Sequence, residues 1–129
     1  MSSDMLRTAA RSAAEHARAP YSAFRVGAAV EASDGQLYRG CNVESASYGL
    51  SICAERVAIF NSVSAGTRPV AIAVSCLDGD PTRPESLMPC GACRQVMLDQ
   101  MGPDSSVYVD RVGTFTVAEL MPNGFRLPR

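Results

Sequence analysis

Two short motifs carry residue types suited to one piece of chemistry: Cys53-Ala54-Glu55 and Pro89-Cys90-Gly91-Ala92-Cys93. They offer three soft ligands and one uncommitted carboxylate. A structural zinc usually closes its tetrahedron with four protein ligands, whereas a hydrolytic zinc keeps one corner for water. Cys53, Cys90 and Cys93 are therefore expected to hold one Zn2+, with Glu55 as the proton carrier at the open corner. Three thiolates on a dication leave a formal net charge of about −1, which weakens the metal's hold on its water unless something offsets it.

The elements that must position these residues can be read from periodicity. Apolar residues at helical spacing predict a helix over 5–18, with Ser2 to Asp4 as capping candidates and Pro20 just beyond its end. Residues 24–32 and 36–41 flank the turn sequence Ser33-Asp34-Gly35 and read as a hairpin. Residues 42–50 are small and polar, hence a loop. A second helix is expected over 51–63, then a continuous apolar run of buried-strand length over 70–77. Residues 78–88 hold glycine, prolines and charges and are expected to form a surface loop. A helix over 90–101 ends at Gly102-Pro103, two short strands follow over 107–109 and 114–116, and 118–121 reads as one more helical turn before Pro122.

On this layout Cys53 lies near the start of one helix, and Cys90 and Cys93 lie in the first turn of another. Helix N-termini carry unsatisfied N–H groups and partial positive charge, which favours the thiolate. The two helix starts are expected to converge on the metal at the edge of a sheet.

Composition bounds the alternatives. With 129 residues, 47% hydrophobic, and a formal net charge of −1, one core and one domain over residues 1–129 are expected. All twelve basic residues are arginine and are scattered among thirteen acids, so no stripe suits a nucleic acid backbone. No apolar stretch approaches the roughly 20 residues needed to span a bilayer. Met1 to Asp4 lacks the start of a signal peptide, so a cytoplasmic protein is expected. Five cysteines in a reducing compartment point to metal binding rather than disulfides.

Taken in order, several segments resemble the small, all-cysteine cytidine deaminases of the cytidine and deoxycytidylate deaminase superfamily. They are Pro20-Tyr21-Ser22-x-Phe24-x-Val26-Gly27-Ala28-Ala29, Gly40-Cys41-Asn42-Val43-Glu44, Cys53-Ala54-Glu55-Arg56, Pro89-Cys90-Gly91-Ala92-Cys93-Arg94-Gln95 and Glu119-Leu120-Met121-Pro122. Nearly the whole chain is covered. The resemblance implies an α/β protein: a three-layer α/β/α sandwich around a mixed five-stranded sheet. It also implies zinc-dependent hydrolysis of cytidine and 2′-deoxycytidine to uridine and 2′-deoxyuridine, with release of ammonia, in pyrimidine salvage.

The same resemblance implies residue roles. Arg56 would donate hydrogen bonds to a ligand sulfur and so offset the excess negative charge. Phe24 would pack along the pyrimidine, Ala54 would belong to the substrate pocket, and Asn42 and Glu44 would hydrogen-bond the ribose hydroxyls. Tyr48 and Phe125 would reach the pocket from neighbouring subunits of a homotetramer. The tail beyond Phe125 is short, residues 126–129.

Plainer readings of the same residues stand beside these. Cys90-Gly91-Ala92-Cys93 alone suits a redox dithiol or half of a structural zinc knuckle equally well. A non-enzymatic structural zinc module would need a fourth ligand from Cys41, Cys76 or His16, and leaves Glu55 without a purpose. His16 is expected at the surface without a ligand role, and Cys41 and Cys76 as small hydrophobes. The nearest rival activity is deamination of a modified cytosine nucleoside such as blasticidin S. Asn42-Val43-Glu44 argues for an ordinary sugar instead.

Overall fold

The computed structural model describes residues 1–128. The first helix, α1 (Ser3–Ala14), starts where Ser2 accepts a hydrogen bond from the Met5 N–H, satisfying one of the orphan donors of a helix start. It turns Leu6, Ala9, Ala10, Ala13 and Ala14 inward. The expected continuation to residue 18 does not form. Arg18 instead exchanges backbone hydrogen bonds with Asn42 and Glu44, and that long-range pairing outcompetes local helical periodicity.

The hairpin appears as β1 (Val26–Ala32) and β2 (Leu37–Cys41), turned at Gly35 with φ 80°, a conformation open to glycine. α2 (Ala54–Ser64) follows and begins three residues later than expected, because Ile52 pairs with Val43 across an antiparallel bridge. β3 (Pro69–Cys76), α3 (Gly91–Gln100), β4 (Ser106–Val109), β5 (Gly113–Thr116) and the short α4 (Val117–Leu120) complete the order. Residues 78–88 are not wholly a surface loop. They contain a 3-10 turn over Pro84–Leu87, and Leu87 is buried in the main core.

The sheet runs β2-β1-β3-β4-β5, with only β3 and β4 parallel. It is the mixed five-stranded sheet expected. Strand β3 is central and buried on both faces, which explains an apolar run interrupted by Ser75 alone.

Alternate residues of β1 face opposite layers. Ala29 meets Leu6, Ala9 and Ala10 of α1, while Ala28 and Val30 join α2, α3 and α4 in the larger core. Small residues let the helices sit close. A Cβ at Gly27 would collide with the α1 backbone at Ala10 and Ala14, and one at Gly40 with the α2 backbone at Ala54 and Ala58. Gly40 therefore sets the height of α2, the helix that carries Glu55. No helix among the described residues is long and apolar enough to cross a membrane.

Candidate active site

Cys53 and Cys90 are the N-cap residues of α2 and α3, and neither side chain caps its own helix. That differs from the expectation for Cys90, which stands just outside the first turn. Cys93 lies inside that turn. At an N-cap the usual serine or aspartate folds back onto the helix N–H groups; a cysteine there leaves its sulfur free, facing the positive end of the helix dipole.

The three sulfurs lie within 4.8 Å of one another, and Cys53 Sγ is 3.7 Å from Cys90 Sγ. Zinc–sulfur bonds of about 2.3 Å at tetrahedral angles place sulfurs about 3.8 Å apart, so the donor set fits zinc. It does not fit a disulfide, which needs about 2.05 Å.

The electrostatics follow from proximity. The Cys53 thiol is pulled down to about 5 by its hydrogen bond with Cys93, against burial and with help from Arg56. Cys93 moves the opposite way, driven first by that same bond to Cys53 and then by burial. Arg56 Nη2 donates to Cys53 Sγ at 3.4 Å, and the thiolate stabilises the guanidinium charge in return. Glu55 is 4% exposed. Burial pushes its carboxyl up to about 7, and the negative charge at Cys53 adds to the effect.

These groups open onto a cavity of about 350 Å³ lined by Phe24, Asn42, Glu44, Cys53, Ala54, Glu55 and Cys90. Seven of the residues singled out in the sequence thus line one space. Cys93 lies behind it, buried, and Arg56 meets the sulfurs through Cys53.

Asn42 is held firmly: its Nδ2 donates to Phe24 O and its Oδ1 accepts from Val26 N, both at 2.8 Å. The Glu44 carboxylate accepts from the backbone N–H groups of Tyr21 and Ser22 and from the Ser22 hydroxyl. The Ser22 bond is the main cause that keeps it below the usual carboxylate range.

Tyr48 and Phe125 are not in the cavity. Tyr48 is 78% exposed and meets Tyr21 edge-on, with ring centroids 6.1 Å apart. Phe125 is 67% exposed on the far side of α3, its carbonyl accepting from Gln95 Nε2. Sequence reasoning missed Ser22, Val26, Val74, Ser86, Leu87 and Met88, which also line the cavity. Cys76 does so as well, while burial pushes its thiol up to about 12 and keeps it protonated. His16 is exposed just past α1, and Cys41 is half-buried at the end of β2.

Residues 2–109 match the cytidine and deoxycytidylate deaminase zinc-binding region, a span that includes both cysteine motifs. The chain belongs to this family. Its relatives include a cytidine deaminase of Halalkalibacterium halodurans, 47% identical over 97% of this chain and 95% of the relative. Among solved structures, the cytidine deaminase of Mycobacterium tuberculosis superposes with a TM-score of 0.85 at 38% identity, covering 98% of this chain and 99% of that one. That of Burkholderia pseudomallei does so at 0.83 and 44%, covering 97% and 100%. The chain is thus an enzyme of the deaminase family, and zinc is the metal its sulfur set suits.

Proposed function

We propose that this deaminase family member hydrolyses cytidine and 2′-deoxycytidine to uridine and 2′-deoxyuridine, releasing ammonia. One observation carries the reading: a buried carboxylate, Glu55, lines an apolar cavity beside three convergent sulfurs. Bound by Cys53, Cys90 and Cys93, zinc supplies Lewis acidity and brings a water's pKa toward about 7.

Glu55 accepts the proton released by the attacking water and passes protons to the ring nitrogen and to the departing amine. Its burial suits both directions, since a carboxyl raised toward neutrality gives up a proton about as readily as it takes one. Arg56 offsets the negative charge of the sulfurs. Phe24 and Ala54 flank the base, and Asn42 and Glu44 hold the sugar hydroxyls.

Tyr48 and Phe125 complete the cavities of neighbouring copies in a homotetramer, a reading supported by their exposure and their absence from the lining of their own cavity. The whole chain acts as one deaminase domain in the cytoplasm, within pyrimidine salvage.

The direct test is the fall in ultraviolet absorbance when cytidine, 2′-deoxycytidine or blasticidin S is added, with and without a zinc chelator. Turnover of the first two, abolished by the chelator, is the expected result. Turnover of blasticidin S alone would overturn the substrate assignment, and turnover that survives removal of all metal would overturn the zinc assignment.

A further inference from the structure

Ser22 has no role so far, yet it stands on the wall of the same cavity. Its hydroxyl donates to Glu44 Oε2 and accepts the Phe24 backbone N–H at 3.0 Å. Its own N–H and that of Tyr21 donate to the other carboxylate oxygen, Oε1, at 3.1 and 3.0 Å. Three of roughly four acceptor positions on the carboxylate are therefore filled from within the protein.

The next residue, Ala23, has φ 56°, the left-handed region that residues with a Cβ seldom occupy. Such a conformation persists only where its surroundings impose it. Here the segment is held on both sides of Ala23: the Glu44 carboxylate accepts from the N–H groups of Tyr21 and Ser22, the Ala23 N–H donates to Ala19 O at 3.0 Å, and the Phe24 N–H donates to the Ser22 hydroxyl.

We infer that Ser22 is a positioning residue for sugar recognition, its hydroxyl bridging Glu44 to the Phe24 backbone and aiming the carboxylate's remaining acceptor position into the cavity. The inference rests on the reading that Glu44 binds a sugar hydroxyl. The terminal torsion of a glutamate is broad and roughly two-fold and carries both oxygens with it, so a donor on Oε2 as well as the two N–H donors on Oε1 fixes the plane of the carboxylate from both ends. The Ser22 hydroxyl pins that second oxygen. A serine that only formed a local turn would accept from the N–H two residues on and nothing more; donation to a cavity carboxylate is the additional feature. Because the same hydroxyl also holds Phe24, the ring beside the base and the acceptor for the sugar are set by one group.

The test compares Ser22→Ala, Ser22→Thr and Glu44→Gln, each zinc-loaded and checked by thermal melting, on cytidine and on 2′,3′-dideoxycytidine, which lacks both ring hydroxyls. Ser22→Ala is expected to lose about tenfold in kcat/KM on cytidine, the scale of one hydrogen bond to a charged group, mostly through KM. Its loss on the dideoxy substrate is expected to be at least fivefold smaller, and Ser22→Thr, which keeps the hydroxyl, is expected to restore activity on cytidine. Equal losses on both substrates for Ser22→Ala, with Glu44→Gln still selective, would overturn the role of Ser22 alone. Equal losses for Glu44→Gln would overturn the sugar-binding reading of Glu44, and this inference with it.

Discussion

Arg56 Nη2 lies 3.4 Å from Cys53 Sγ, so a fixed cation stands against a ligand sulfur. Removing it returns the uncompensated charge of three thiolates to the metal. Arg56→Ala is expected to lower turnover by about tenfold or more and to speed loss of zinc to a chelator, since a hydrogen bond from a charged donor is worth about 1.5–3 kcal/mol. Unchanged zinc retention and unchanged turnover would show that the arginine has no such role. Cys53, Glu55, Cys90 and Cys93 were legible in the sequence because their types and spacing have few other uses. Phe24, Asn42 and Glu44 were named only through resemblance, since a strand aromatic or a polar loop residue looks the same in many folds. Ser22 lay inside a segment that carries the resemblance yet received no role, because a serine beside a turn is common in many folds; Leu87 and Met88 gave no signal, because apolar residues in a proline-rich loop carry no periodicity.

Element boundaries moved wherever a distant partner competed with local pattern. Residues 15–18 carry helical spacing yet leave α1, because Arg18 pairs with residues 42–44, a contact no local window contains. The hairpin and β3 were legible because the Ser33-Asp34-Gly35 turn sequence and a long apolar run are local signals.

The contact between β2 and α2 gives a sharp prediction. A Cβ at Gly40 would strike the α2 backbone at Ala54 and Ala58, which flank Glu55 along the helix. Gly40→Ala is expected to destabilise the fold by about 3 kcal/mol, the upper end of overpacking costs, in denaturant unfolding. It is also expected to lower kcat in the folded fraction. Wild-type stability would show that α2 can lift away freely.

A second prediction concerns the tie between α1, β3 and β4. Asp110 is buried and accepts from Arg11 at 2.7 Å and from Ser75 at 2.8 Å. Burial alone would raise its pKa, yet those bonds hold it below the ordinary value. A depressed carboxyl contributes stability above its unfolded pKa of about 3.9 and loses it as pH falls through the folded value. Unfolding free energy measured from pH 7 down to pH 2 is therefore expected to fall less steeply below about pH 4 in Asp110→Asn than in the wild type. Identical slopes would contradict the assignment.

At the scale of the whole molecule, the protomer leaves Tyr48, Leu50, Phe125 and Leu127 more than half exposed, although two of them are aromatic residues proposed to complete a substrate site. If neighbours share sites, inactive variants should complement one another. Glu55→Gln co-assembled with a poorly active Phe125→Ala is expected to recover a fraction of wild-type turnover, because some mixed sites combine an intact Glu55 with an intact Phe125. No recovery on mixing would mean that each copy carries its own complete site. The fold class followed from resemblance rather than from pattern, since single-chain periodicity finds strands but not their order in a sheet. Which residues serve a neighbour is likewise absent from one chain's local signals, because exposure to solvent and exposure to a partner copy look the same.

The most direct measurement is zinc content by elemental analysis, with cytidine turnover on the same samples, for the wild type and Glu55→Gln. About one zinc per chain in both, with turnover essentially lost only in the variant, is the expected result for three sulfur ligands and a separate proton carrier. A wild type that carries no zinc, or a well-folded Glu55→Gln that turns over cytidine at the wild-type rate, would contradict it.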